Sequence, residues 1–252
     1  MKTRTERSAG DAPPRRVLVV GASASLGPDL VDGFCALGDH VLATTRSGVL
    51  VSAQDNVQNS VQDRVRVESL DLLDCASLDR LAERVLPSFG ALDVAIFLAG
   101  ILPGKALAAY DDALMQQVMS SNFTAQAALL RRLLPHFNPG AQVWMLSSIS
   151  GDRGSFDPIY AASKAALVAF VKSLATWLAP GLRVNALAPA LIEGSAMFEA
   201  MAPGRRSHHL ASTPTGRLST PAELAAVIVN LCEPIWANLN GQVIRINGGA
   251  YV

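Results

Sequence analysis

An α/β protein, with a parallel sheet wound by helices on both faces, is the fold class this sequence predicts, and three observations predict it. Short apolar or β-branched runs alternate with helix-spaced segments along the chain, a pattern that builds successive crossover units in one sheet. Half of the residues are hydrophobic and only 17% are charged, the balance expected when a sheet is buried on both sides. The first apolar run ends in a turn of small residues that opens a helix, as happens where the strand ends of such a sheet hold an anion. At 252 residues the chain can bury a real core as a single domain, and no repeat, low-complexity tract or internal linker divides it.

Taken in order, residues 1–14 hold Lys2, Arg4, Arg7, Gly10 and Pro13-Pro14 around no apolar stretch, so they are expected to form a loose arm ahead of a folded domain at 15–252. Arg16 to Val20 is the first strand. Gly21-Ala22-Ser23-Ala24-Ser25-Leu26-Gly27 is the turn, and Leu26 to Leu37 is spaced as a helix. His40 to Thr45 is the second strand; Val51 to Arg64, polar and poorly periodic, is a loop or a short irregular helix. Val65 to Leu70 alternates as a third strand and ends at Asp71-Leu72. Asp74 or Ser77 caps a helix expected to run to Leu86 and stop before Pro87. Leu92 to Leu98, closed by Ala99-Gly100, is a continuous apolar run suited to a central strand.

Asp111 to Leu134 is a long helical pattern interrupted at Ser120-Ser121-Asn122, where an Asn competes with the helix for its own backbone hydrogen bonds. Pro135 to Gly140 is expected to break the chain before a strand at Val143 to Leu146. A helix follows the loop through Arg153 and Phe156 and stops at Pro180-Gly181, and Leu182 to Ala188 is the next strand. Residues 190–213, with Met197, Phe198 and Met201, are expected to form a lid over a substrate. Thr220-Pro221-Ala222-Glu223 combines a capping hydroxyl, a first-turn proline and a third-position glutamate, opening a helix to about Cys232. Gln242 to Ile246 is the last strand before Asn247-Gly248-Gly249.

The totals narrow the function classes. Lys and Arg match Asp and Glu at 21 each, so nothing global draws the chain to nucleic acid or an anionic membrane. No window carries roughly 18 uninterrupted apolar residues, so no membrane partner is expected. Cys35, Cys75 and Cys232 stand singly, which argues against a disulfide framework or a metal knuckle and fits a reducing cytoplasm. His208 and His209 are adjacent, with no acid or Cys at ligand spacing, so no metal site is expected.

Ser147 and Ser148 tip one strand, and Tyr160 and Lys164 stand one helical turn apart, hence on one face. A phenol beside an ammonium is the makings of a proton donor tuned by a cation. The turn at Gly21 to Gly27 places backbone amides and a helix N-terminus where a pyrophosphate would sit. After the second strand stands Thr44-Thr45-Arg46-Ser47, without the carboxylate that would receive a ribose 2′-hydroxyl. Arg46 therefore points to NADP(H) rather than NAD(H), because a guanidinium pairs with a 2′-phosphate through charge-assisted hydrogen bonds.

In order and spacing, the glycine turn, Asp71, Ala99-Gly100, Asn122, Ser148, Tyr160 with Lys164, Arg183-Val184-Asn185-Ala186 before Pro189, and Asn247-Gly248-Gly249 resemble the short-chain dehydrogenase/reductase family over about residues 15–250. The resemblance implies a Rossmann-like, doubly wound parallel sheet of about seven strands. It implies that Ser148, Tyr160, Lys164 and Asn122 form a catalytic tetrad in which Lys164, together with the nicotinamide cation, lowers the phenol pKa from its ordinary value of about 10. Ser148 would hold the substrate oxygen, and Asn122 would seat a water leading from Lys164 to solvent. It implies cofactor contacts from Gly21, Ser23, Ser25, Leu26, Gly27, Asp71, Leu72, Ala99, Gly100, Pro189 and Ile192, with Tyr160 and Lys164 also touching the cofactor.

The pattern departs from the family at four places. Ser25 replaces a motif glycine, Phe97-Leu98 replaces an Asn pair, Ala190 replaces Gly, and Gly194 stands where Thr is common, with Ser195 as its substitute. The expectation is an NADP(H)-dependent oxidoreductase acting on a small-molecule carbonyl or secondary alcohol, of which a 3-oxoacyl substrate is one form. The alternative is an inactive dinucleotide-binding sensor or scaffold of the same fold. Arg205, Arg206 and the two histidines would draw an anionic substrate. The small residues Ala161, Ala162, Ala165, Ala166 and Ala169 suit close helix packing between subunits, and the resemblance implies a homotetramer or a homodimer.

Overall fold

The computed structural model describes residues 13–50 and 63–252; the expected arm up to residue 12 and most of the Val51 to Arg64 segment lie outside the described residues. Seven parallel strands form one sheet in the order β3-β2-β1-β4-β5-β6-β7. They are β1 (Arg16–Val20), β2 (His40–Thr45), β3 (Val65–Ser69), β4 (Leu92–Phe97), β5 (Phe137–Leu146), β6 (Leu182–Pro189) and β7 (Val243–Ile246).

Side-chain alternation shows why the sheet is wound on both faces. In β1, Leu18 and Val20 enter one buried cluster with Leu129, Leu133, Leu167 and Val171, while Val17 and Val19 enter another with Leu30, Phe34, Leu224 and Ile228. The same split sends Ala95 and Phe97 of β4 one way and Val94 and Ile96 the other. A strand that is apolar at every position is thus satisfied by two separate cores. The first core lies under α2 (Cys75–Phe89), α4 (Ala125–Leu133) and the long helix α6 (Pro158–Trp177), with α3 (Asp112–Met119) ahead of α4 in the chain. The second lies under α1 (Gly27–Ala36) and α9 (Pro221–Leu231). Between them in the chain fall α5 (Ser150–Arg153), α7 (Ala196–Glu199) and α8 (Pro203–Ala211).

Several boundaries differ from the sequence expectation, each for a physical reason. The helix expected to stop before Pro87 runs on to Phe89, since a proline in an exposed final turn leaves only one carbonyl without its helical donor. The strand expected from Val143 begins at Phe137, and a register shift between Leu92 and Val94 absorbs Pro139 and Gly140 at the sheet margin. The Asp111 to Leu134 pattern divides into α3, a π-helical turn at Ser120–Thr124, and α4. The expected capping box is present: Thr220 Oγ1 accepts from Glu223 N at 3.2 Å, and Glu223 Oε2 accepts from Thr220 N at 2.9 Å.

Among the described residues α6 is the one helix long and apolar enough by composition to cross a membrane, and it is a core helix with Leu167 and Val171 fully buried. Because β1 and β4 are neighbours while the chain reverses its direction of winding between them, a crevice opens at their carboxyl ends.

Candidate active site

Gly21 and Ala99 meet at that crevice. A Cβ on Gly21 would stand 3.0 Å from both Cβ and backbone N of Ala99, and Gly21 has φ +79°, so glycine is required twice over. Gly27 is equally constrained, since a Cβ there would fall 1.9 Å from the Ala22 carbonyl oxygen. Within the turn the amides of Ala22, Ala24 and Gly27 donate to Thr44 O, Gly21 O and Ala24 O. Those of Ser23, Ser25 and Leu26 donate to no backbone acceptor among the described residues and stand ahead of the α1 N-terminus. This cradle of free amides, with small residues and a helix dipole, fits the pyrophosphate of a dinucleotide.

The ends of β2 and β3 border the same crevice. Arg46 is exposed directly after β2 and enters no ion pair among the described residues, and Thr45 Oγ1 beside it is buried with no hydrogen-bond partner there. Asp71, at the end of β3, accepts from Leu73 N at 2.9 Å through Oδ1, which holds the Asp71-Leu72 turn. Phe97 and Leu98 are buried, so the apolar pair that replaces the family's polar residues fills core space.

The four residues of the expected tetrad come from three elements. Ser148 follows β5, and its Oγ accepts from Ser150 N at 3.1 Å, the local bond that opens α5. Tyr160 and Lys164 lie buried in the first turns of α6. Lys164 Nζ donates to Leu146 O at 2.7 Å and stands 5.7 Å from the centre of the Tyr160 ring. Asn122 is wholly buried in the π-helical turn, and its Nδ2 donates to Ser163 Oγ of α6 at 2.9 Å. Gly100 brings them together: a Cβ there would lie 3.2 Å from Asn122 Oδ1 and 3.4 Å from Lys164 Nζ.

Burial controls the proton affinities. It pushes the Tyr160 phenol up to about 12, opposed by a hydrogen bond to Ser148 and reinforced by the Asp157 carboxylate. It pushes the Lys164 ammonium down to about 8. Burial is thus the largest influence on the phenol, and Ser148 is the group that acts in the lowering direction.

Downstream, Ile149 N donates to Pro189 O at 3.1 Å, joining the Ser148 loop to the end of β6. Ile192 pairs with Ser219 as an isolated bridge. Ser195 is not a free substitute for threonine, because its hydroxyl donates to Ile192 O at 2.8 Å and accepts from Phe198 N at 3.1 Å to cap α7. The Arg205 guanidinium sits 5.5 Å over the exposed Phe156 ring, and burial together with Arg153, His208 and Arg205 lowers the His209 pKa. The Ser148 loop and the 190–213 segment thus share a cationic rim.

Sequence reasoning missed Gln126. It is fully buried, and its Nε2 donates to Ala99 O, Ser121 O and Asn122 O at 2.8, 3.1 and 2.9 Å. An amide four residues after an interrupting Asn was the available signal. It also missed Asp157, which caps α6 and is followed by Pro158, the same cap-and-proline signature recognised at Thr220-Pro221.

A seven-stranded doubly wound sheet, a glycine turn at its switch point and a Ser, Tyr and Lys group at the same carboxyl edge define a class of nicotinamide-linked folds, and comparison with known proteins places the chain in it. The chain belongs to the short-chain dehydrogenase/reductase family of oxidoreductases: the family described as enoyl-(acyl carrier protein) reductase matches residues 21–251. It is 29% identical over 241 residues to the 3-oxoacyl-[acyl-carrier-protein] reductase FabG of Salmonella typhimurium, covering 93% of this chain and 96% of that one. The Escherichia coli FabG has the same identity and coverage. A short-chain dehydrogenase/reductase from Brucella melitensis, titled a glucose/ribitol dehydrogenase, superposes with a TM-score of 0.81 at 26% identity, over 94% of this chain and 97% of that one. A dehydrogenase/reductase from Sinorhizobium meliloti reaches 0.84 at 24% identity, over 97% and 98%, and shares the fold.

Proposed function

We propose that the protein is an NADP(H)-dependent oxidoreductase that interconverts a carbonyl and a secondary alcohol, with Tyr160 as general acid and base and a 3-oxoacyl thioester as its substrate class. The observation that carries this reading is the buried Tyr160 phenol beside Ser148 and Lys164, at the crevice formed by the glycine turn. NADP(H), when bound, supplies or accepts the hydride. Gly21, Ser23, Ser25, Leu26 and Gly27 would cradle its pyrophosphate, Arg46 its 2′-phosphate, and Asp71, Leu72, Ala99, Gly100, Pro189 and Ile192 the rest of the crevice.

In the reducing direction Ser148 Oγ holds the substrate oxygen, and the Tyr160 hydroxyl gives that oxygen its proton as charge develops on it. A phenol pushed up to about 12 stays in the donor form across the neutral range. Lys164 stabilises the phenolate that remains and, with a pKa near 8, can pass its own proton towards the phenol. Asn122 would seat the water through which solvent returns a proton to Lys164. The 190–213 segment, with α7 and α8, would close over the substrate.

The relatives named as 3-oxoacyl reductases and the cationic rim of Arg153 and Arg205 both support a thioester whose carrier arm bears phosphate. Three free cysteines fit a cytoplasmic protein, and the small-residue face of α6 at Ala162, Ala165, Ala166 and Ala169 suits a homotetramer or homodimer. The test is NADPH oxidation over a panel of acetoacetyl-CoA, simple ketones and keto sugars. Turnover highest on acetoacetyl-CoA is expected. No turnover across the panel, with NADPH still raising thermal stability, would instead identify a dinucleotide-binding scaffold.

A further inference from the structure

Asp157 does more than a helix cap requires. Its carboxylate is buried to 3% exposure, and Oδ1 accepts from Tyr160 N at 3.0 Å, which is the capping bond. The Tyr110 hydroxyl reaches both carboxylate oxygens, at 2.7 and 2.8 Å, and Oδ2 accepts from Gly104 N at 2.9 Å and Lys105 N at 3.1 Å. No Lys, Arg or His forms an ion pair with it among the described residues.

Elsewhere in this chain a neutral hydroxyl suffices for capping, at Ser195 and Thr220. Burying an ionised carboxylate without a counter-cation is costly unless its lone pairs are filled, and here donors from two other places in the chain fill them. The segment they come from, residues 101–110, is the one that follows Ala99-Gly100, and Asn122 grips its other end at Ile101. Both candidate catalytic helices therefore hold the same loop.

We propose that Asp157 is a positioning residue for proton transfer at Tyr160: its carboxylate latches the 101–110 loop onto the first turn of the catalytic helix and sets a negative charge at the Tyr160 backbone amide. This rests on the reading of Tyr160 as the acid. Among the described residues the charged and titratable groups around that phenol are Lys164 from its own helix, Asp157 at the helix cap and, behind Asp157, Tyr110 from the loop; Ser148 from the end of β5 is its neutral hydrogen-bond partner. Tyr110 partly neutralises the carboxylate by donating to it. Removing Asp157 and removing the Tyr110 hydroxyl must then act on Tyr160 in opposite directions.

The experiment measures two things on Asp157→Asn, Tyr110→Phe and Tyr160→Phe. Hydrogen exchange on the full chain without substrate reads the latch: the Gly104 and Lys105 amides should exchange roughly tenfold faster in Asp157→Asn. The pH dependence of acetoacetyl-CoA reduction with NADPH reads the charge. The alkaline limb should move to lower pH in Asp157→Asn and to higher pH in Tyr110→Phe, each on the order of half a unit. Unchanged exchange at Gly104 and Lys105 would overturn the latch. Faster exchange with an unmoved limb, or limbs moving the same way, would reduce Asp157 to a structural cap and overturn its positioning role. Normal turnover by Tyr160→Phe would overturn the function proposed above and this role with it; a dead Tyr160→Phe beside unmoved exchange and limbs would overturn this proposal alone.

Discussion

Asn122 holds Ile101 by both of its backbone groups: Ile101 N donates to Oδ1 at 2.7 Å, and Nδ2 donates to Ile101 O at 3.0 Å. A side-chain amide that mimics a neighbouring strand is what fastens the end of β4 to the π-helical turn. Truncation in Asn122→Ala would leave the part-buried donor and acceptor of Ile101 without partners, each worth about 1–2 kcal/mol. The expected outcome is a stability loss of about 3 kcal/mol by chemical denaturation, together with a drop in turnover. A change below about 1 kcal/mol would contradict the clip.

Lys164 makes a signed prediction about pH. Its pKa falls from 10.5 to about 8 on burial, so between those values the unfolded chain binds more protons than the folded one. Stability from this group therefore rises as pH climbs from 8 to 10.5, and below 8 its burial is a full cost. Lys164→Met removes that cost but leaves Leu146 O without its donor. The variant should be more stable than the parent by about 2 kcal/mol at neutral pH, with the gap closing towards pH 10. Comparing the two proteins cancels the opposite contributions of Cys35 and Cys232, whose thiols burial pushes up to about 11 and about 12. A gap that widens with pH would refute the assignment.

Arg46 is exposed and free of any ion pair among the described residues, so its charge is available to a ligand. Arg46→Ala should weaken NADPH binding by roughly tenfold to a hundredfold and leave NADH almost unchanged, as read by titration calorimetry. Equal losses for both would remove the argument for the 2′-phosphate.

Gly27→Ala tests the cradle. The added methyl would collide with the Ala22 carbonyl at 1.9 Å, so the turn must open. A fall in melting temperature and a loss of NADPH-induced stabilisation are expected from thermal scans with and without cofactor. Unaltered stabilisation would mean that the turn does not hold the dinucleotide.

The central strands were legible because runs such as Val17 to Val20 and Val94 to Phe97 are apolar at every position, and a doubly wound sheet has two cores to receive the alternating side chains: Val17 and Val19 on one face, Leu18 and Val20 on the other. Tyr160 and Lys164 were legible because one helical turn is a local spacing. What could not be read was set by contacts between distant segments. Asp157 shows its cap-and-proline signature locally, but the Tyr110 hydroxyl lies 47 residues away and only the fold brings it to the carboxylate. Gln126 binds Ala99 O, 27 residues away, and its spacing from Asn122 hints at a role without showing that partner. The upward push of burial on the phenol was hidden for the same reason, since the depth of burial at Tyr160 is a property of packing and not of the residue pair. Ser195 looked free in the sequence because its role as the α7 cap depends on Ile192 O and Phe198 N lying within reach.

The central claim is that the Tyr160 hydroxyl is the proton donor in a nicotinamide-linked carbonyl reduction, and Tyr160→Phe removes that hydroxyl alone. With acetoacetyl-CoA and NADPH, kcat should fall by about a hundredfold to ten-thousandfold while the melting temperature and the NADPH dissociation constant stay those of the parent. Turnover within a few-fold of the parent, by a variant that folds and binds NADPH, would contradict it.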